Sequence, residues 1–250
     1  MDESDRDRFI ASWRKYFGGA ELPLAVFYTD TRPGDTSAGS GSAGCVVRVL
    51  SSAREGKTLC FGAGDSLCSG AKRYFGFTYE TSMPDFEYFL SYGIPDKVRG
   101  ERYKKSPEIV RESTKRSPSF TAPGKYIVFK RWDKLSAEDA PIIAVFFADQ
   151  DVVSGLFTLA NFDEVEPDGV VCPFGSGCSS IVLHPYLELR SERPRCVLGM
   201  FDISARPYVG ENILTFAVPI TKFERMIANM DESFLITDSW KELYGRMRKG

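Results

Sequence analysis

Apolar residues recur over residues 4–17 at Phe9, Ile10, Trp13, Tyr16 and Phe17, the spacing of one helical face, with Ser4 as cap and Gly18-Gly19 as stop. Residues 23–29 (PLAVFYT) then form a continuous apolar, aromatic-rich run, the pattern of a buried strand. A Gly- and Ser-rich stretch, 32–44, reads as flexible loop and ends at Cys45, where VVRVLSSAR turns helical. The same reasoning predicts strands at 58–62, 126–132, 142–148, near Val170, and at 196–201 and 214–219. Helices are predicted at 85–92, 106–115, 152–161, 179–188, 221–230 and 239–247, with a turn and short helix over 68–77. Ser106 caps the second of these with Pro107 at its first position, where a missing N–H costs nothing, and Asp238 caps the last. The pattern is that of a mixed α/β (α+β) single domain over 1–250.

One echo runs through the chain. Ala25-Val26-Phe27-Tyr28-Thr29-Asp30 resembles Ala144-Val145-Phe146-Phe147-Ala148-Asp149. Downstream of the first lies Gly41-Ser42-Ala43-Gly44-Cys45 before an apolar helix; downstream of the second lies Gly175-Ser176-Gly177-Cys178 before Ile181-Val182-Leu183. A cysteine-bearing strand closes each unit, around Cys60 in one and Cys196 in the other. Chance similarity between apolar strands and small-residue turns is the bland account. A real repeat divides the domain into halves, 1–120 and 121–250, related by a pseudo-twofold axis, and predicts that Cys45 and Cys178 are neighbours in space.

Charge and composition narrow the classes. Lys and Arg number 32 against 34 Asp and Glu, so no global field draws the chain to nucleic acid or anionic lipid. No apolar run reaches the ~18 residues of a membrane span, and the polar start, residues 1–8, lacks the apolar stretch of a signal peptide. The expectation is a cytoplasmic protein, in which six cysteines are core residues, metal ligands or redox thiols rather than disulfides.

The Gly-Cys turns are where chemistry can sit. A cysteine at a helix start meets unpaired N–H groups and the positive end of the dipole, and both stabilise the thiolate, which is the ligand and nucleophile form. Gly44 and Gly177 let backbone approach a bulky ligand. Cys68 opens a third small-residue turn, Cys68-Ser69-Gly70-Ala71. Cys45, Cys68 and Cys178 on separate elements suit three thiolate ligands to an iron–sulfur cluster or other thiolate-bound metal, with Cys172 as a fourth or the position left open. Cys60 and Cys196 fall in strands and read as core. The alternative for each thiol alone is simple packing where a helix begins.

Other features weigh less. Glu55-Gly56-Lys57-Thr58 mimics the end of a phosphate loop, but the motif's first glycine would fall at Ser51 and the segment follows a helix. Lys97, Arg99, Arg102, Lys104 and Lys105 form one basic cluster, balanced by Asp96, Glu101 and Glu108, as on a solvated loop face. His184 is the only histidine and reads as structural beside Pro185. Arg206 either clamps a small anion or pairs with Asp202.

Three stretches carry a family resemblance: Gly100-Glu-Arg-Tyr-Lys-Lys-Ser-Pro-Glu-Ile-Val110, Pro173-Phe-Gly-Ser-Gly-Cys-Ser-Ser180 and Gly199-Met-Phe-Asp-Ile-Ser-Ala-Arg-Pro-Tyr208. With Cys68-Ser-Gly-Ala and Phe75-Gly-Phe77, they resemble the uncharacterised prokaryotic family called domain of unknown function 169, over roughly residues 23–247. The resemblance implies a bacterial or archaeal protein with no established reaction. It also implies that positions matching Cys45, Cys68 and Cys178 are the family's recurring cysteines, whereas those matching Cys60 and Cys196 are not. Ser69 stands where the family's turn carries proline, which leaves the geometry of that turn open.

The expectation is thus a metal or iron–sulfur site on Cys45, Cys68 and Cys178, serving a small-molecule ligand or a redox partner. Two further readings stand beside it. One is a non-catalytic small-anion-binding or interaction module using the glycine loops and Arg206. The other is a thiol enzyme with one activated cysteine, Cys178.

Overall fold

Two βαβ-type units set the architecture. The computed structural model describes residues 3–38, 44–79 and 83–247. In chain order the elements are α1 (Glu3–Phe17), β1 (Leu24–Thr29), β2 (Thr36–Ala38), α2 (Val46–Arg54), β3 (Thr58–Gly62), α3 (Ser69–Tyr74), α4 (Phe86–Phe89), α5 (Pro107–Arg116) and β4 (Tyr126–Arg131). They continue as β5 (Ile143–Ala148), α6 (Gln150–Ala160), β6 (Val170–Val171), α7 (His184–Glu188), β7 (Cys196–Gly199), β8 (Leu214–Pro219), α8 (Ile220–Asn229) and α9 (Asp238–Met247). A π-helical stretch, Ser179–Leu183, runs directly into α7. Pro185 has no N–H to give to the turn before it, which accounts for the widened helix at this point.

Among the described residues, eight strands form one mixed sheet in the order β2-β3-β4-β1-β5-β8-β7-β6. Read outward from the centre, β1-β4-β3-β2 on one side repeats as β5-β8-β7-β6 on the other. The directions repeat too: β2 is parallel to β3 and β6 to β7, while the other neighbours are antiparallel. β4 pairs with both β1 and β3 and so belongs to the first quartet of strands.

Helices cover both faces, so the central strand β5 is apolar at every position. In β5, Ala144, Phe146 and Ala148 face a core built with α1, α6, α8 and α9, while Ile143, Val145 and Phe147 face one built with α2, α3 and the helix around Ile181. The first core is dense in rings, with Trp13 stacked on Phe17 at 4.2 Å.

Several boundaries differ from the sequence expectation for local reasons. α1 starts at Glu3, so Ser4 lies inside it. α6 starts at Gln150 because the Asp149 carboxylate accepts the N–H groups of Asp151 and Val152. Asp238 lies within α9, and Thr237 Oγ1 accepts the Trp240 N–H instead. β7 stops at Gly199 because Met200 takes a positive φ of 72°, which ends an extended run. Within the stretch expected to be loop, Thr36–Ala38 pairs with β3; Gly41, Ser42 and Ala43 lie outside the described residues.

Candidate thiolate centre

Each of three cysteines begins a helix on the same face of the sheet. Cys45 is the extended residue before α2, and Cys68 the extended residue before α3, where its sulfur accepts the Ala71 N–H at 3.4 Å. Cys178 lies in the first turn of the helical run that continues through the π stretch into α7. All three belong to the core that packs α2 and α3 on this face, whereas Cys60 and Cys196 belong to the core on the opposite face.

The helix starts converge. A Cβ at Gly177 would stand 3.1 Å from Val47 in the first turn of α2, 3.3 Å from Met200 Sδ and 3.4 Å from the Ala205 methyl. Gly177 thus lets the Cys178 turn close onto the start of α2. α3 packs on the π stretch from the other side. Gly44 is half-buried next to Cys45.

The thiols sense one another. Burial pushes the Cys178 thiol well above its ordinary range, and the negative charges that Cys68, Cys45 and Asp202 would carry push the same way. Burial also raises Cys45, opposed by the nearby Val47 and Arg48 amides and assisted by Cys68 and Asp202. Those amides point toward the Cys45 sulfur without closing a capping bond. Cys172 is exposed, and its thiol is raised by burial of its surroundings alone, with no partner charge from the other three. The Cys178 turn packs on the start of α2 through Gly177 and on α3.

Asp202 was no more than a partner for Arg206 in the sequence. Its carboxylate instead holds the cysteine turn: Oδ2 accepts the Gly177 N–H at 3.0 Å, and Oδ1 accepts the Ser204 N–H at 3.0 Å and hydroxyl at 2.7 Å. The Arg206 side chain has backbone carbonyls, and not the Asp202 carboxylate, as its hydrogen-bond partners. Its guanidinium donates to the carbonyls of Ile213, Gly210 and Glu211, tying the turn at 206–208 to the approach of β8. An arginine after a strand looks the same in sequence whichever carbonyls its loop presents. The basic cluster is likewise engaged, with Lys97 on Asp85 at 2.7 Å and Lys104 over the Phe174 ring at 4.3 Å. His184 is half-buried at the junction of the π stretch and α7, and burial lowers its pKa.

Among the described residues, no group of three or more His, Cys, Asp or Glu side chains is placed to hold a metal ion. No helix among them is long and apolar enough to cross a membrane. The family model described as uncharacterised ArCR, domain of unknown function 169, matches residues 14–229. No curated protein and no solved structure matches the chain.

Proposed function

This chain belongs to the uncharacterised ArCR family, domain of unknown function 169, which brings no reaction with it, and we propose from its own residues that Cys45, Cys68 and Cys178 hold an iron–sulfur cluster. The observation that supports the reading is that three cysteines stand at three helix starts on one face of the sheet, while the two strand cysteines lie on the other. At Cys45 the Val47 and Arg48 amides oppose the burial that raises the thiol.

A single thiolate-bound ion needs all its sulfurs ~2.3 Å from one atom. A cluster spreads its ligands over separate irons and accepts thiols that converge less tightly, so it suits this arrangement better. A cluster with three protein thiolates supplies electron transfer or Lewis-acid activation of a small molecule at its fourth iron. A cytoplasmic, reducing setting keeps the thiols available, and the counterpart is a small-molecule ligand or a redox partner.

The two other readings have less behind them. Cys178 is 5% exposed and its thiol is raised by burial and by its neighbours, the reverse of an activated nucleophile; as a ligand it would give up that proton only on binding iron. Arg206, the anion clamp of the binding-module reading, has its guanidinium on carbonyls.

Anaerobic purification and reconstitution of the full chain with Fe(II) and sulfide tests the proposal. Expected are a brown protein with a broad visible absorption and stoichiometric iron and sulfide. A colourless, iron-free product of that procedure overturns it.

A further inference from the structure

Three large apolar side chains stand in water around the junction at Gly177: Phe174 is 73% exposed, Phe201 55% and Ile203 71%. Gly177 ties them to one place. A Cβ there would meet Val47 of α2, Met200 and Ala205 within 3.4 Å, and its N–H is held by the Asp202 carboxylate at 3.0 Å. Phe174 lies three residues before Gly177, while Phe201 and Ile203 flank Asp202, so all three sit close to the ends of one hydrogen bond. The same loop buries Met200 and Ala205, each 1% exposed, and leaves its bulkier neighbours outside. Large apolar side chains grouped in this way at a surface mark a contact with another molecule.

Cations border the group. Lys104 Nζ lies 4.3 Å over the Phe174 ring, and the Arg48 guanidinium, exposed one residue after Val47, lies 5.8 Å over the Tyr208 ring. Arg102 and Lys105 are exposed on the loop that carries Lys104. Among the described residues none of these four cations has a carboxylate in ion-pair range, whereas Lys97 of the same loop sits on Asp85 at 2.7 Å. A face complementary to this one is apolar at its centre and acidic at its edge.

We propose that this surface docks an acidic protein, with Phe174, Phe201 and Ile203 as the apolar anchor and Arg48 and Lys104 as the groups that meet the partner's Asp and Glu side chains. Ile203 has no ring on which a nucleobase could stack, and 32 basic against 34 acidic residues give the chain no overall field for a polyphosphate. A membrane-seated segment segregates its apolar and cationic faces; here Lys104 and Arg48 lie on ring faces, so the two kinds of group are interleaved. The surface is complete without any group bound by the thiols.

The test pans a random peptide library on the full chain, with F174S/I203S as the counter-selected decoy. The peptides expected to be enriched carry Asp or Glu around an aromatic or aliphatic residue. In fluorescence anisotropy they should bind F174S/I203S at least about tenfold more weakly than wild type. R48E/K104E should also weaken them and should abolish the loss of affinity that added salt causes in the wild type. Circular dichroism checks that both variants are folded. A panning that enriches no peptide, peptides without acidic residues, or equal binding to wild type and both folded variants overturns the proposal. Oligo-dT or phosphatidylglycerol vesicles that bind wild type and are released by F174S/I203S overturn it too, in favour of nucleic acid or membrane.

Discussion

Ala25 and Ala144 face each other as the middle pair of the β1–β5 junction, flanked by Leu24 with Val145 and Val26 with Ile143. Each is also the first residue of the repeated Ala-Val-Phe sequence, so each is paired with its own counterpart. The pseudo-twofold relation between the two strand quartets passes between these two methyl groups. Both residues are fully buried in the same core. A25L and A144L should each cost about 1–3 kcal/mol through overpacking. Because the two sites touch, the double variant should depart from additivity by about 0.5 kcal/mol or more. Urea unfolding of the four proteins measures this, and strictly additive, sub-0.5 kcal/mol effects would contradict the central packing described.

Strands β1, β3, β4, β5 and β8 were legible because sheet faces covered by helices demand unbroken apolar runs, and such runs show in a sequence. β2 was not, since Thr36–Ala38 is held by backbone pairing to β3 and advertises no buried face. The strand order was hidden as well: pairing β1 with both β4 and β5 is a long-range matter that no local pattern reports. At the site, the placement of Cys45, Cys68 and Cys178 at helix starts was legible, because a small-residue turn opening a helix has a composition of its own. The roles of Asp202 and Arg206 were not. They depend on where a loop after β7 is routed, and the positive φ at Met200 that routes it leaves no mark on a non-glycine residue.

Gly177 is the closest point between the Cys178 turn and α2. A methyl group there meets Val47, Met200 and Ala205 at once, each at a tighter than ordinary distance, and none is the end of a long, yielding polar chain. G177A should therefore push the turn away from α2, lowering stability by about 1–3 kcal/mol and reducing iron uptake more than any alanine substitution at exposed Gly64, where a Cβ meets nothing. Denaturant melts and iron analysis of the two variants make the comparison; equal iron content in both would argue that the close approach is unnecessary.

The six cysteines should sort into two classes. C45S, C68S and C178S each remove a proposed ligand and should abolish or halve iron and sulfide content after reconstitution. C60S, C172S and C196S should leave it at the wild-type level, because two of these thiols lie across the sheet and the third stands apart from the others. C196S carries a packing penalty of its own, since its sulfur contacts Met226 Sδ at 3.8 Å, so it is compared at matched folded fraction by circular dichroism. Iron loss that followed C60S as strongly as C178S would place the cluster on the wrong face.

Lys222 is fully buried, its ammonium on Glu164 and 3.5 Å from Asp163, with Arg225 on the same Glu164. Burial alone would raise the Glu164 carboxyl; the hydrogen bonds from Lys222 and Arg225 outweigh it and hold the group below its ordinary value of 4.5. A depressed carboxyl adds stability above the unfolded-state value and loses it as pH falls through the folded-state value. The wild type should accordingly weaken on acidification below about pH 4.5. E164Q should flatten that part of the profile, and K222M should destabilise the protein at neutral pH by as much as about 3 kcal/mol, Arg225 remaining as partial compensation. Urea midpoints from pH 3 to 7 (a range set about the ordinary carboxyl value) test both, and an unchanged acid limb in E164Q would remove the group from the account.

The alkaline limb reports on the thiols. Cys178 and Cys196 are both raised above the ordinary 9.0, chiefly by burial. The folded protein then holds these protons more tightly than the unfolded chain does. The resulting stability is fully present below the unfolded-state thiol value and is lost as pH climbs from there toward the folded-state value, with a slope approaching about 1.4 kcal/mol per pH unit for each group. Metal-free protein should thus lose stability from about pH 9 upward, and C178S should recover its share of that slope. Cluster-loaded protein should lose the same share without any substitution, because a coordinated thiolate has already given up its proton. Unfolding midpoints of the metal-free and loaded wild type and of C178S, followed across that range, separate the cases; identical alkaline slopes in metal-free and loaded protein would mean that Cys178 keeps its proton when iron is bound and is not a ligand.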